Sequence, residues 1–242
     1  MTALLRVKGL TKSYGRLKAV ADVSFTVAEG AIVALIGPNG AGKTTTFGLI
    51  AGAIVPNAGE AVLAGRKLTG LRPDQVCAAG VARTFQIVKP FADLSVEDNV
   101  LVGALHRHRG VEPARAKARQ VLEQLGLLPA STQPAGTLTL SDRKCLEVAK
   151  ALATEPRLLL LDEVMAGLRP TETDRIVSLL RDLNRRTGLT ILLIEHVMRA
   201  VTALSDQIVV LDHGEKIAEG SPRHVMAEPR VIECYLGAEA RE

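Results

Sequence analysis

Three features of this 242-residue chain predict an α/β fold with a parallel, doubly wound core. Apolar runs at 31–36, 81–85, 158–161, 190–194 and 207–211 are separated by stretches of helical periodicity. Strands that alternate with helices pair in parallel with the helices packed on the faces. The run at 31–36 leads into a glycine-rich loop and then a helix-compatible segment, a strand–loop–helix unit.

Taken in order, residues 4–35 alternate short apolar runs with turn residues and predict a β-rich start. Residues 59–65 read as a short hairpin. The run 81–85 reads as a strand ending at Gln86. From about 94 to 130 the pattern turns helical, with Ala118, Val121, Leu122 and Leu125 on one face and Arg115, Lys117, Arg119 and Glu123 elsewhere. Residues 103–113, with His106, Arg107, His108, Arg109 and Pro113, predict an exposed loop whose basic residues form a solvated face. Thr139 and Asp142 open the periodic run 146–152. Helices are predicted over 172–186 and 197–204. Asp212, His213 and Gly214 read as the turn of a hairpin joining 207–211 to 215–218.

The loop Gly37, Pro38, Asn39, Gly40, Ala41, Gly42, Lys43, Thr44, Thr45 has the G-x-x-x-x-G-K-[ST] spacing of a P-loop. Glycines let backbone N–H groups curl around an anion, and the following helix N-terminus adds about half a positive charge. Lys43 supplies a full charge for β- and γ-phosphates, and the Thr44 hydroxyl can ligate Mg²⁺. The implied ligand is a nucleoside triphosphate. Leu158–Asp162 is an apolar run into two carboxylates, Asp162 and Glu163. Burial in a parallel sheet explains the leucines but not the acids, which fall where open α/β sheets place ligands. Asp162 suits Mg²⁺, and Glu163 suits removal of a proton from attacking water. His196 is a third polar residue at a strand end and reads as functional in that company. Gln86 stays ambiguous on its own residues.

Hydrophobic residues make up 47% of the chain, enough for a substantial core, while aromatics at 2% argue against stacking platforms for single-stranded nucleic acid. A net charge of +4 reads as a mildly basic solvated surface, so no nucleic-acid partner is expected, although a basic face near anionic lipid is compatible. Cys77, Cys145 and Cys234 are scattered and odd in number, which predicts free thiols. The opening residues 1–6 lack a signal-peptide layout, and no apolar run approaches the roughly 20 residues that span a bilayer.

With these residues in hand, the chain resembles the ATP-binding subunits of ATP-binding-cassette (ABC) transporters over essentially its whole length. The resemblance implies a RecA-like P-loop NTPase core with an N-terminal antiparallel β-subdomain and a helical subdomain at about 88–155, in one ATPase domain over 1–242. It implies ATP and Mg²⁺ as cofactors. Tyr14 stacks on adenine, 37–45 is the Walker A loop, Gln86 the Q-loop glutamine, 158–162 the Walker B strand, Glu163 the catalytic glutamate and His196 the switch histidine. Thr44, Gln86 and Asp162 serve the metal, partly through water. A narrower similarity, carried by Arg83-Thr84-Phe85-Gln86, the segment 94–100 and the ending 230–237, is to the branched-chain (hydrophobic) amino-acid importer ATPases. It implies a second, often non-identical ATPase subunit arranged head-to-tail, two membrane permeases, a periplasmic solute-binding protein and a peripheral place on the cytoplasmic face of the inner membrane.

The chain departs from the family pattern at Leu138, Thr139, Leu140, Ser141 and Asp142, where Leu-Ser-Gly-Gly-Gln is usual. Thr139 with Asp142 forms a capping box worth roughly 1 kcal/mol to its helix, but a Cβ and a carboxylate weaken the approach of a phosphate. Val164 stands where proline is usual, and Arg169 where the D-loop ends in aspartate. A heterodimer with one competent site is the expectation. The alternatives are a lipid or lipopolysaccharide exporter ATPase, a soluble ABC protein acting on ribosomes or DNA, a small-molecule kinase, and a nucleotide-gated module that barely hydrolyses.

Overall fold

Alternating burial along the first thirty residues produces two long strands, β1 (Ala3–Tyr14) and β2 (Leu17–Ala28), paired antiparallel. The wholly buried β3 (Ile32–Ile36) feeds the glycine-rich loop and helix α1 (Lys43–Ile50). A hairpin follows, β4 (Ala58–Leu63) with β5 (Arg66–Lys67), then α2 (Pro73–Ala78) and β6 (Val81–Arg83). Three helices come next: α3 (Val96–Ala104), α4 (Val111–Gln124) and α5 (Leu140–Leu152). Strand and helix then alternate through β7 (Leu158–Asp162), α6 (Pro170–Thr187), β8 (Thr190–Ile194), α7 (Met198–Leu204) and β9 (Gln207–Asp212). The chain closes with β10 (Glu215–Gly220), α8 (Pro222–Val225) and α9 (Pro229–Leu236). This computed structural model describes residues 2–236, so Gly237 of the 230–237 ending lies outside the described residues.

Two sheets result. One has the order β2-β1-β4-β5 and is antiparallel; the other has the order β10-β9-β3-β8-β7-β6. In the second, β9, β3, β8, β7 and β6 run parallel, and β10 is added antiparallel through a tight turn in which His213 (φ 46°) and Gly214 (φ 84°) both take left-handed conformations.

The strands of this sheet are split by side-chain alternation. Ile32, Ala34 and Ile36 face a core shared with α3 to α7, while Val33 and Leu35 face a core shared with β1, β2, β4 and α1. Leu159 and Leu161 go to the first core, Leu158 and Leu160 to the second. A sheet covered on both faces needs continuous apolar strands.

Two expectations shift. The strand expected over 81–85 ends at Arg83: the ladder with β7 stops at the Arg83–Leu160 pair, and Thr84 turns its hydroxyl to accept from the Asp162 N–H at 3.1 Å. The loop expected over 103–113 is shorter. Helix α4 begins at Val111, with Pro113 in its first turn, where a missing N–H leaves no hydrogen bond unmade. The basic segment is also tied down, since Arg107 donates to the Thr154 carbonyl at 3.2 Å and His108 lies 3.4 Å from Glu155. The three cysteines are free thiols.

The connection from β6 to α3 is held by one buried side chain. The Asn99 amide donates to the carbonyls of Phe91 (3.0 Å) and Ser95 (2.9 Å), and its oxygen accepts from the Phe91 N–H at 2.9 Å. Asn99→Ala leaves these groups unpaired and is expected to cost about 2–3 kcal/mol in urea unfolding, whereas Val102→Ala, at a half-exposed site one turn on, is expected to change stability by no more than about 0.5 kcal/mol.

Candidate functional site

The parallel strands deliver their polar residues at one edge of the sheet. The glycine-rich loop follows β3, His196 follows β8, Asp162 and Glu163 close β7, and Gln86 lies past β6, on four neighbouring strands. The loop requires glycine at two close approaches. A Cβ on Gly37 would stand 2.0 Å from the Leu211 carbonyl oxygen, and one on Gly42 2.3 Å from that of Ala19. The turn between β9 and β10 supports the loop from outside, with Gly214 N–H donating to the Ala41 carbonyl at 3.2 Å and its own carbonyl accepting from Ala21 at 2.8 Å.

Lys43 is buried inside the loop, its ammonium donating to the carbonyls of Gly37 (2.7 Å) and Pro38 (2.8 Å). Burial pushes the ammonium below its ordinary value, against the opposing pull of Glu163 and Asp162. Thr44 is exposed on the first turn of α1, Thr45 is half-buried, and Asn39 and Gly40 are exposed at the loop's tip. With the N–H groups of that first turn, this is a cradle for a polyphosphate.

Asp162 is 1% exposed, and the two oxygens of its carboxylate differ. Oδ2 accepts from Arg83 at 2.7 Å, while Oδ1 is buried and has no hydrogen-bond partner among the described residues. A buried carboxylate oxygen without a donor is what a hard cation would complete, so the donor set fits Mg²⁺. Arg83 itself lies between the rings of Phe47 and Phe85, 5.9 and 5.6 Å from their centroids. Glu163 carries a positive φ of 50° and its Oε2 accepts from Gln86 Nε2 at 2.7 Å. The sequence-predicted residues Thr44, Gln86 and Asp162 therefore line one groove of about 970 Å³, whose other wall is apolar and includes Val76, Phe85, Ile87, Val102 and Ala151. Pro38, Asn39, Gly40 and Ala41 also line a shallower groove with His213 and Arg230. His196 is exposed at the end of β8, and Tyr14, half-exposed, closes β1 with Lys12 5.2 Å above its ring.

Three charged residues at this edge escaped the sequence reading. Arg83 looked like a strand residue. Lys144 is buried on α5 and donates to the Glu163 carbonyl at 2.9 Å; burial pushes its ammonium down, while Glu195, Glu163 and Asp162 pull it up. Glu195, 1% exposed, accepts from the Met165 N–H at 2.8 Å, and burial pushes its carboxyl up to about 7. A signal existed for Lys144, which shares a helical face with Ser141, Val148 and Ala151.

Comparison with known proteins agrees with this geometry. Residues 20–166 match the family model described as ABC transporter, and residues 215–241 match that of the branched-chain amino acid ATP-binding cassette transporter. The chain is 39% identical over 250 residues to the high-affinity branched-chain amino acid transport ATP-binding protein BraF of Pseudomonas aeruginosa, covering 97% of this chain and 98% of BraF. It is 40% identical to the corresponding protein LivG of Salmonella typhimurium, with the same coverage of 97% and 98%. Among solved structures, the ADP conformation of the ABC transporter cassette MJ1267 superposes with a TM-score of 0.89 at 30% identity, covering 98% of this chain and 100% of MJ1267. The chain belongs to the ABC transporter family, and it carries that family's ATP-hydrolysing cassette.

Replacing the buried ammonium by Lys43→Ala removes a charge-assisted contact and is expected to weaken ATP binding about 10- to 100-fold, as measured by calorimetric titration.

Proposed function

We propose that this chain hydrolyses Mg·ATP to power uptake of branched-chain or related hydrophobic amino acids. The observation that carries the catalytic part is the meeting of strand ends: Gln86 from beyond β6 is bonded to Glu163 at the end of β7, beside Asp162 and facing the loop after β3. The substrate class is supported by the match over 215–241 and by what BraF and LivG are named for.

In this reading residues 37–45 bind the triphosphate, with Lys43 on the β- and γ-phosphates and Tyr14 against the adenine. Thr44, Asp162 and Gln86 hold Mg²⁺, partly through water; the ion supplies neutralisation of phosphate charge. Glu163 orients the attacking water and takes its proton, and His196 contacts the γ-phosphate. The cassette is one domain over 1–242 with a helical subdomain at about 88–155. Two such chains close head-to-tail under two permeases on the cytoplasmic face of the inner membrane, and a periplasmic binding protein delivers the solute. Among the described residues no helix is long and apolar enough to cross a membrane, which fits attachment through the permeases. In this reading a permease segment docks on the apolar groove bordered by Phe85, Ile87 and Val102, which Gln86 also lines.

The second ATPase subunit is non-identical in this reading. Helix α5 would offer its N-terminus to the partner's nucleotide, yet Thr139 accepts from the Asp142 N–H at 3.2 Å and donates to the Asp142 carboxylate at 2.8 Å. That carboxylate lies 3.3 Å from Arg175, so the helix start is capped by its own acid. A phosphate arriving there meets an N–H already capped by Thr139 and, where the family has glutamine, a carboxylate paired with Arg175.

Glu163→Gln is expected to lower turnover about 10²- to 10⁴-fold while ATP still binds. Turnover that appears only when this chain is mixed with a partner ATPase, and disappears with Glu163→Gln, supports the heteromeric reading; robust turnover by this chain alone contradicts it.

A further inference from the structure

The turn after β7 holds a conformation that its own sequence does not favour. Glu163 has a φ of 50°, a left-handed conformation that costs a residue with a Cβ roughly 1–2 kcal/mol. The next residues, Val164 and Met165, are buried and supply no turn chemistry. What fixes the turn comes from elsewhere in the chain. Its first N–H, on Glu163, donates to the Ile194 carbonyl of β8 at 2.9 Å. Its first carbonyl, also on Glu163, accepts from Lys144 Nζ of α5 at 2.9 Å. Its third N–H, on Met165, donates to Glu195 Oε1, just past β8, at 2.8 Å.

Lys144 and Glu195 are 5% and 1% exposed. Buried charges of this kind are poor sources of stability, because apolar side chains of similar volume do as well or better. Lys144 donates to, and Glu195 accepts from, the backbone of one three-residue turn, and the half-buried side chain of that turn is the Glu163 carboxylate, held toward Gln86.

We propose that Lys144 and Glu195 are positioning residues for Glu163: from α5 and from the end of β8 they clamp the backbone of the turn 163–165 and so aim the carboxylate at the attacking water. The proposal rests on the reading of Glu163 as the base. It assigns work to two residues that the proposed function places on neither nucleotide nor metal. A misplacement of about 1 Å in a catalytic group can cost on the order of 10²-fold in rate, so a turn freed at one of its anchors loses turnover without losing nucleotide affinity.

The test compares ATP hydrolysis and ATP binding for Lys144→Met, Lys144→Arg, Glu195→Met and Glu195→Gln, in the wild-type chain and in Glu163→Gln, each in the transporter assembly. Lys144→Met is expected to lower kcat about 10- to 100-fold with KM and ATP affinity within about 3-fold, and Lys144→Arg, which keeps a donor, to restore most of kcat. In the Glu163→Gln background Lys144→Met is expected to produce no further loss, because the group it aims is gone. A kcat within 3-fold of wild type for both Lys144→Met and Glu195→Met overturns the proposal. So does an equal further loss in the Glu163→Gln background, which is the behaviour of general structural damage. Should Lys144→Met fail to fold, Glu195→Met, which removes the acceptor for the Met165 N–H, reads the same clamp from its other side, with Glu195→Gln as the control that keeps the acceptor. Near-normal turnover of Glu163→Gln alone is a separate result that removes the base assignment, and this proposal with it.

Discussion

Everything at the working edge of this protein follows from one constraint: a sheet of parallel strands buried on both faces cannot carry polar side chains along its length. Strands β3, β7 and β8 are buried at every position. Ionisable groups are therefore pushed to where the strands stop, and because β3, β8, β7 and β6 are neighbours and parallel, all of their stops lie together. The site is a consequence of sheet order. Were β8 absent from between β3 and β7, the glycine-rich loop and the two carboxylates would sit side by side, and His196 and Glu195 would have no strand to bring them there.

The second governing fact is charge balance in a partly dry space. Lys43, Arg83 and Lys144 stand against Asp162, Glu163 and Glu195, and each cation has its own assignment: Lys43 to the loop carbonyls, Arg83 to Asp162, Lys144 to the backbone of Glu163. Such a cluster is costly unless its members are paired or hydrogen-bonded. Asp162 Oδ1 and Glu195 Oε2, buried carboxylate oxygens with no hydrogen-bond partner among the described residues, mark where pairing is incomplete. The first has an obvious use in a Mg²⁺ site. The second belongs to a carboxyl whose pKa is raised to about 7 by burial, so that it holds a proton more readily than an ordinary glutamate does.

The sequence was most legible where one physical rule acted alone. Continuous apolar runs identified β3, β7 and β8 because buried parallel strands admit no other composition, and the loop 37–45 was legible because its glycines and lysine have fixed spacing. The N-cap at Thr139 formed as read, since it needs only local backbone, but the reciprocal half of the capping box did not: the Asp142 carboxylate accepts from the Thr139 hydroxyl in place of its backbone N–H. Legibility failed where the outcome depended on distant partners. The end of β6 falls where the Thr84 hydroxyl accepts from the Asp162 N–H of a distant strand, which no local pattern encodes. Helix α2 buries Val76 alone and is too short for periodicity to speak. Arg83, Lys144 and Glu195 were missed because a charged residue reads as surface, and only the assembled fold shows that these three are enclosed. The roles assigned to Tyr14 and His196 rest on resemblance, as both side chains are exposed.

The account as a whole stands on the claim that these strand ends form a single Mg·ATP hydrolysis centre. The most direct measurement is an experimental structure of the chain in its transporter assembly with Mg²⁺ and a non-hydrolysable ATP analogue. The account predicts the triphosphate wrapped by residues 37–45, the ion beside Thr44 and Asp162 Oδ1, and the Glu163 carboxylate within one water of the γ-phosphate. A nucleotide bound with its γ-phosphate remote from Asp162 and Glu163, or an ion held by other residues, would contradict it.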